Sequence, residues 1–129
     1  RARTFMNKER ENIINFALSL EGAMADKPFP EDFDTTVLRH ADTGKWFGII
    51  MHITGSKVGL SPDIKVDVMN VKCKPEDTFT AREISSGILP AYHMNKKHWI
   101  SILLNGTVEK ELTEALLENS YELTKKKRR

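Results

Sequence analysis

Apolar residues recur at helical spacing near the start of the chain. Ile13, Phe16, Ala17 and Leu20 share one face of a helix that begins at Asn7, a good N-cap, and stops at Gly22. Residues 23–34, AMADKPFPEDFD, hold two prolines and four acids and read as a surface loop. Three segments rich in β-branched and aromatic residues follow: Thr35–Ala41, Lys45–Ile53 and Ile64–Lys72. The short link Asp42-Thr43-Gly44 predicts a hairpin between the first two. In the third, Val66 and Val68 face one way and Asp67 and Met69 the other, the alternation of a sheet wetted on one side.

Pro75 sits where the first turn of a helix tolerates it, so a short helix is expected from there to about Ser85, ended by Ser86-Gly87. Pro90 makes the next segment extended. His98–Leu104 is the most apolar strand candidate, closed by Asn105-Gly106. Thr107 is expected to cap a last helix with a core stripe of Leu112, Ala115, Leu116 and Leu123, widened by Leu117 and Tyr121. Its early glutamates and closing lysines both suit the helix dipole. This order predicts an α+β domain, an antiparallel sheet with helices packed on one face. Within it, residues 1–6 are an N-terminal extension or linker, 7–124 the domain and 125–129 a basic tail. The sequence opens on Arg1 rather than methionine, so it is either a fragment of a longer protein or carries extra residues before Met6.

At 129 residues and 40% apolar content the chain has the size of one domain with one core. No run approaches the ~18 to 20 apolar residues of a membrane helix, and the first twenty residues lack the order of a signal peptide. A soluble, cytoplasmic protein is expected. The single cysteine, Cys73, can form neither an internal disulfide nor a thiolate metal cage, and reads as a half-buried thiol.

Charge changes the picture more by its distribution than by its total of +2. Seven of the twenty cations lie at the two ends, so residues 4–124 carry thirteen cations against eighteen acids. Within that acidic body, residues 35–108 hold nine cations against six acids, while 109–124 set five glutamates against Lys110. An anion-binding surface must therefore be a local patch in the middle of the chain.

The stretch YHMNKKHW is the densest polar knot there. Lys96 and Lys97 offer mobile cationic donors, His93 and His98 imidazoles that gain charge near neutral pH, and Asn95 both donor and acceptor. Together they suit a phosphate or a base edge, and Arg39 and Lys45 on the first hairpin can add to the same face. The competing reading makes Asn95-Lys96-Lys97 a solvated turn and His98 a backbone-bonded neighbour of a buried Trp99. Trp99 reads as a core anchor, because Ile100, Ile102 and Leu104 alternate after it. Trp46 and Tyr92 remain open between packing and stacking. The basic tail is an ordinary solvated charge run, with non-specific nucleic-acid contact as its functional option.

The segments LPAYHMNKKHW, NGT and ENSYEL, preceded in order by ALSLEGA, KPFP and KWFGIIM, resemble the MmcQ/YjbR family from about Met6 to Leu123. The resemblance implies a frataxin-type, CyaY-like α+β fold and, from its double-wing hairpins, a DNA-binding role. Frataxin-like iron binding would need an acidic ridge near the first helix. Glu9, Glu11 and Glu21 are sparse and interrupted by Lys8 and Arg10, so no iron site is expected.

Enzyme chemistry finds no foothold. None of Ser56, Ser61, Ser85, Ser86 or Ser101 lies in a nucleophile elbow, and GxxxxGK[ST], GxGxxG and HExxH are absent. His93 and His98 lack neighbouring cysteine or carboxylate partners for a metal. The expectation is a non-catalytic module without cofactor, contacting DNA phosphate through Arg39, Lys45, His93, Asn95, Lys96, Lys97 and His98. The alternative is a module for a protein or small anionic ligand, with a concave pocket beside His93 and His98.

Overall fold

The computed structural model describes residues 8–127. The chain runs α1 (Lys8–Leu18), β1 (Ala23–Asp26), β2 (Thr36–His40), β3 (Trp46–Thr54), a 3-10 turn (Gly55–Val58), β4 (Lys65–Lys72), α2 (Pro75–Ile84), β5 (Ile88–Pro90), β6 (Trp99–Leu103) and α3 (Lys110–Thr124). The strands form one sheet in the spatial order β1-β2-β3-β4-β6-β5, with every neighbouring pair antiparallel. After β4, α2 carries the chain to the far edge, and β6 returns between β5 and β4.

One face carries the main core. Phe47, Ile50, Met69, Val71, Ile100 and Ile102 of the sheet meet Ile13 and Ala17 of α1 and Leu117 and Tyr121 of α3. Each large apolar side chain buried there contributes roughly 1.5–3 kcal/mol. Gly48 sets how closely α3 approaches: a Cβ on it would lie 2.9 Å from Leu38 Cδ1 and 3.2 Å from Leu117 Cδ1. The register passes from Leu38↔Gly48 to Arg39↔Trp46, so Phe47 is the extra residue of a bulge that keeps Trp46 on the opposite face.

The expected α+β layering is present, and several local readings are corrected. Residues 23–26 form edge strand β1 rather than loop, because the free edge of β2 pairs with them (Met24↔Arg39, Ala25↔Leu38) and overrides their weak propensity. Val66 and Val68 do alternate with Asp67 and Met69, yet all four are buried. The chain after β3 folds back over the second face, with Gly55 N–H donating to Ile64 O at 2.8 Å and Leu60 N–H to Gly55 O at 2.8 Å. Val58 and Leu60 from this segment pack with Ile53 and Leu89 on Val66, Val68 and Leu103. Asp67, 4% exposed, receives Arg10 Nη1 at 2.9 Å and pairs with His52 Nδ1 at 2.9 Å, which ties α1 to the sheet.

Thr107 does not cap α3. Its N–H and hydroxyl both turn to Asn105 Oδ1, at 3.1 and 2.7 Å, and the helix starts three residues later behind Glu109. The buried stripe of α3 is Thr113, Leu117, Ser120, Tyr121 and Thr124, with Leu112, Leu116 and Leu123 only half-buried and Ala115 exposed. Ser120 faces the sheet because its hydroxyl donates to Phe47 O at 2.7 Å and accepts from Lys72 N–H at 2.8 Å, satisfying backbone of both β3 and β4. Cys73 is fully rather than half buried, and burial, aided by Asp77, pushes its thiol pKa up. The N-cap expected at Asn7 lies outside the described residues.

Candidate binding site at the turn after β5

The second face of the sheet is only partly covered, and the turn between β5 and β6 stands over its open part. Two polar side chains inside apolar strands hold that turn. Asn70 on β4 and Ser101 on β6 are paired across the sheet and each is 0% exposed. Ser101 Oγ donates to Asn70 Oδ1 at 2.5 Å and accepts from Tyr92 N–H at 2.8 Å, while Asn70 Nδ2 donates to Tyr92 O at 2.8 Å. Both backbone groups of Tyr92 are thus fixed from below. The next residue, His93, takes a left-handed backbone with φ of 62°. That conformation costs a side-chain-bearing residue on the order of 1 kcal/mol and persists where the surroundings over-determine it, as the Asn70–Ser101 clamp does.

Tyr92 and His93, their rings 4.0 Å apart, form a wall between two concavities. On one side a cavity of about 420 Å³ is lined by Lys57 and Val58 from the 3-10 turn, by Leu89 and Pro90 from β5, and by His93 and Lys96. No carboxylate is among its lining residues. On the other side a cavity of about 650 Å³ lies over Trp46, Ile49, Met51 and Ile53 of β3, with Phe29 edge-on to Trp46 at 6.1 Å and Glu31 and Asp32 also in its lining.

The seven residues singled out from sequence divide sharply. His93 and Lys96 come together, joined by Lys57. Arg39 Nη2 is engaged by Asp26 Oδ1 at 3.2 Å, and its guanidinium lies 5.9 Å from the Trp46 ring, so its charge is already matched. Asn95 is a turn residue whose Oδ1 accepts from the N–H groups of Lys97, at 2.7 Å, and His98, at 3.2 Å. Half-buried His98 gives its carbonyl to Cys73 N–H at 2.8 Å. Lys45 is exposed in the β2–β3 turn and Lys97 beside Asn95, and neither lines the two cavities. Trp99, expected as a core anchor, is half-buried.

Sequence reasoning missed Lys57, which reaches the site only because the chain folds back after β3. It also missed the clamp, although an asparagine inside VDVMNVK and a serine inside WISILL are polar interruptions of buried strands and therefore a readable signal.

These features define a class: a small α+β protein whose antiparallel sheet is helix-covered on one face and presents a ligand-sized concave surface on the other. The YjbR family model matches residues 18–123, and the chain belongs to that family. It is 38% identical over 116 residues to the uncharacterized protein YyaQ of Bacillus subtilis, covering 90% of this chain and 98% of that one. A Pseudomonas syringae protein of known crystal structure is 39% identical with a TM-score of 0.84, covering 90% of this chain and 98% of that one. The Deinococcus radiodurans protein DR2400, described with a DUF419 domain, is 27% identical with a TM-score of 0.71, over 92% of this chain and 79% of that one. The frataxin-type likeness stays an implication of the sequence resemblance. Among the described residues no helix is long and apolar enough to cross a membrane.

Proposed function

We propose that this chain is a non-catalytic binding module for a small anionic ligand, whose charge is held by Lys57, His93 and Lys96. One observation carries the reading: cations from two separate elements line one cavity that has no carboxylate in its wall, beside a histidine held in a strained backbone. Two ammonium groups and an imidazole supply donors for a phosphate or carboxylate. The cavity volume falls in the usual small-ligand range of roughly 300–1,000 Å³.

Contact with nucleic-acid phosphate is a second reading, favoured by the exposure of Lys45, Lys96 and Lys97, none of which is ion-paired among the described residues. Against a duplex laid over this face stand Glu31 and Asp32 in the lining of the larger cavity and Arg39 engaged by Asp26.

Calorimetric titration with pyrophosphate, beside fluorescence anisotropy with duplex and single-stranded oligonucleotides at two salt concentrations, separates the two. The expected result is pyrophosphate binding that Lys57→Ala with Lys96→Ala weakens about tenfold, as removal of two solvent-facing charge contacts should. Oligonucleotide binding should be weak and vanish when residues 125–129 are removed. Duplex binding that falls steeply with salt, is lost in Lys45→Ala with Lys97→Ala and ignores Lys57→Ala would reject the small-anion reading.

A further inference from the structure

We infer that the ligand is an aryl anion: a single charged end attached directly to an aromatic ring, with the ring carried past His93 into the larger cavity. The inference rests on the small-anion reading and adds the chemistry of the uncharged part. The two cavities share Tyr92 and His93 in their walls, so a ligand held at Lys57 and Lys96 has the larger space next to it. Their floors share one apolar support. Ile53 belongs to the larger cavity and Val58 and Leu89 to the smaller, and all three pack on the same Val66, Val68 and Leu103 cluster.

The lining of the larger cavity suits a ring. Phe29 and Trp46 meet edge to face at 6.1 Å and 84°, and the Tyr92–His93 pair faces the same space, so stacked and edge-on contacts are both within reach. Met51 and Ile53 remain half-exposed on this face, apolar surface that a bare phosphate would leave in water. The acids in its lining set the sign. Asp32 accepts from Asp34 N–H at 3.2 Å and from Thr35 Oγ1 at 2.6 Å, which fixes a carboxylate there, and Glu31 stands beside it. A second negative group carried into this cavity would meet a lining that holds both acids, so charge belongs at the Lys57–Lys96 end only.

The test is calorimetric titration of the full chain with inorganic phosphate and with phenyl phosphate, in the wild type, Met51→Gln and the Lys57→Ala, Lys96→Ala double variant. Burial of one ring should make phenyl phosphate bind roughly tenfold tighter than phosphate or better. Met51→Gln should remove most of that advantage and leave the phosphate affinity unchanged, while the double lysine variant weakens both ligands. As a second readout, phenyl phosphate but not phosphate should perturb tryptophan emission, and Trp46→Phe should abolish the response. Equal affinities for the two ligands, both dependent on the lysines, would overturn the aryl inference and leave the anion site standing. Absence of binding, or binding indifferent to the lysines, would remove the anion site and this inference with it.

Discussion

The two faces of the sheet are built from the same strands and solve different problems. On the helix side, Phe47, Ile50, Met69, Ile100 and Ile102 are sealed under α1 and α3, and the polar groups present there, such as Ser120, satisfy strand backbone. On the other side the same alternation presents Trp46, Ile49, Met51 and Ile53 to a cavity, and the buried polar pair Asn70–Ser101 supports a turn. Side chains sealed on the first face act on stability, as do the Val66, Val68 and Leu103 cluster and the Asn70–Ser101 pair of the second, while those lining its open cavities act on what the surface can hold.

The largest expected effect comes from breaking the helix side. Leu117→Ala, at a position with no exposure, should cost about 2–5 kcal/mol in urea unfolding. Met51→Ala on the open side should cost far less, because part of that side chain already meets solvent. Equal losses would mean that the open part of the second face is core as well. Next in size is Ser101→Ala, which strands Asn70 Oδ1 and the Tyr92 N–H together; a cost of about 1–3 kcal/mol is expected. Hydrogen exchange sharpens it: the Tyr92 amide should lose protection while amides of β2 keep theirs.

A smaller effect is a pH dependence that belongs to the helix side. His40, between Phe47 and Tyr121, has its pKa lowered from 6.5 chiefly by burial, with Lys125 acting in the same direction and Asp42 and Glu122 opposing. Its Nε2 meets Thr124 Oγ1 at 2.8 Å, and that hydroxyl also reaches Ser120 O at 2.8 Å. Below the ordinary value the unfolded chain binds the proton and the native one resists it, so stability falls as pH drops from 6.5 through the native pKa. Urea midpoints at pH 7.5 and 5.5 should differ, and His40→Gln should shrink the difference. The smallest effect is on the open side. Lys57→Ala and Lys96→Ala should each change stability by no more than about 0.5 kcal/mol, in contrast to their effect on anion binding.

How much the sequence revealed follows the same division. Strands β2, β3, β4 and β6 and helix α2 were legible because β-branched runs, Asp42-Thr43-Gly44 and Pro75 act locally. β1 was not, since Ala23–Asp26 is a strand only through its pairing with β2. The face of α3 was read only in part, through Leu117 and Tyr121, because Thr113, Ser120 and Thr124 are buried polar residues, Ser120 bonded to sheet backbone and Thr124 to His40, which a hydrophobic period cannot register. At the site, His93 and Lys96 stood out as charge beside an apolar run. Asn95 looked chemical and is a turn former, Arg39 looked available and is matched by Asp26, and Lys57 was invisible because its place depends on the fold-back after β3.

The central claim is that the open face binds an anion beside His93. Backbone amide shift mapping with phenyl phosphate tests it most directly. The account predicts saturable shifts at Lys57, Gly59, Tyr92, His93 and Lys96, extending to Met51 and Trp46 and leaving α3 unmoved. Shifts confined to Lys125–Lys127, or none that saturate, would contradict it.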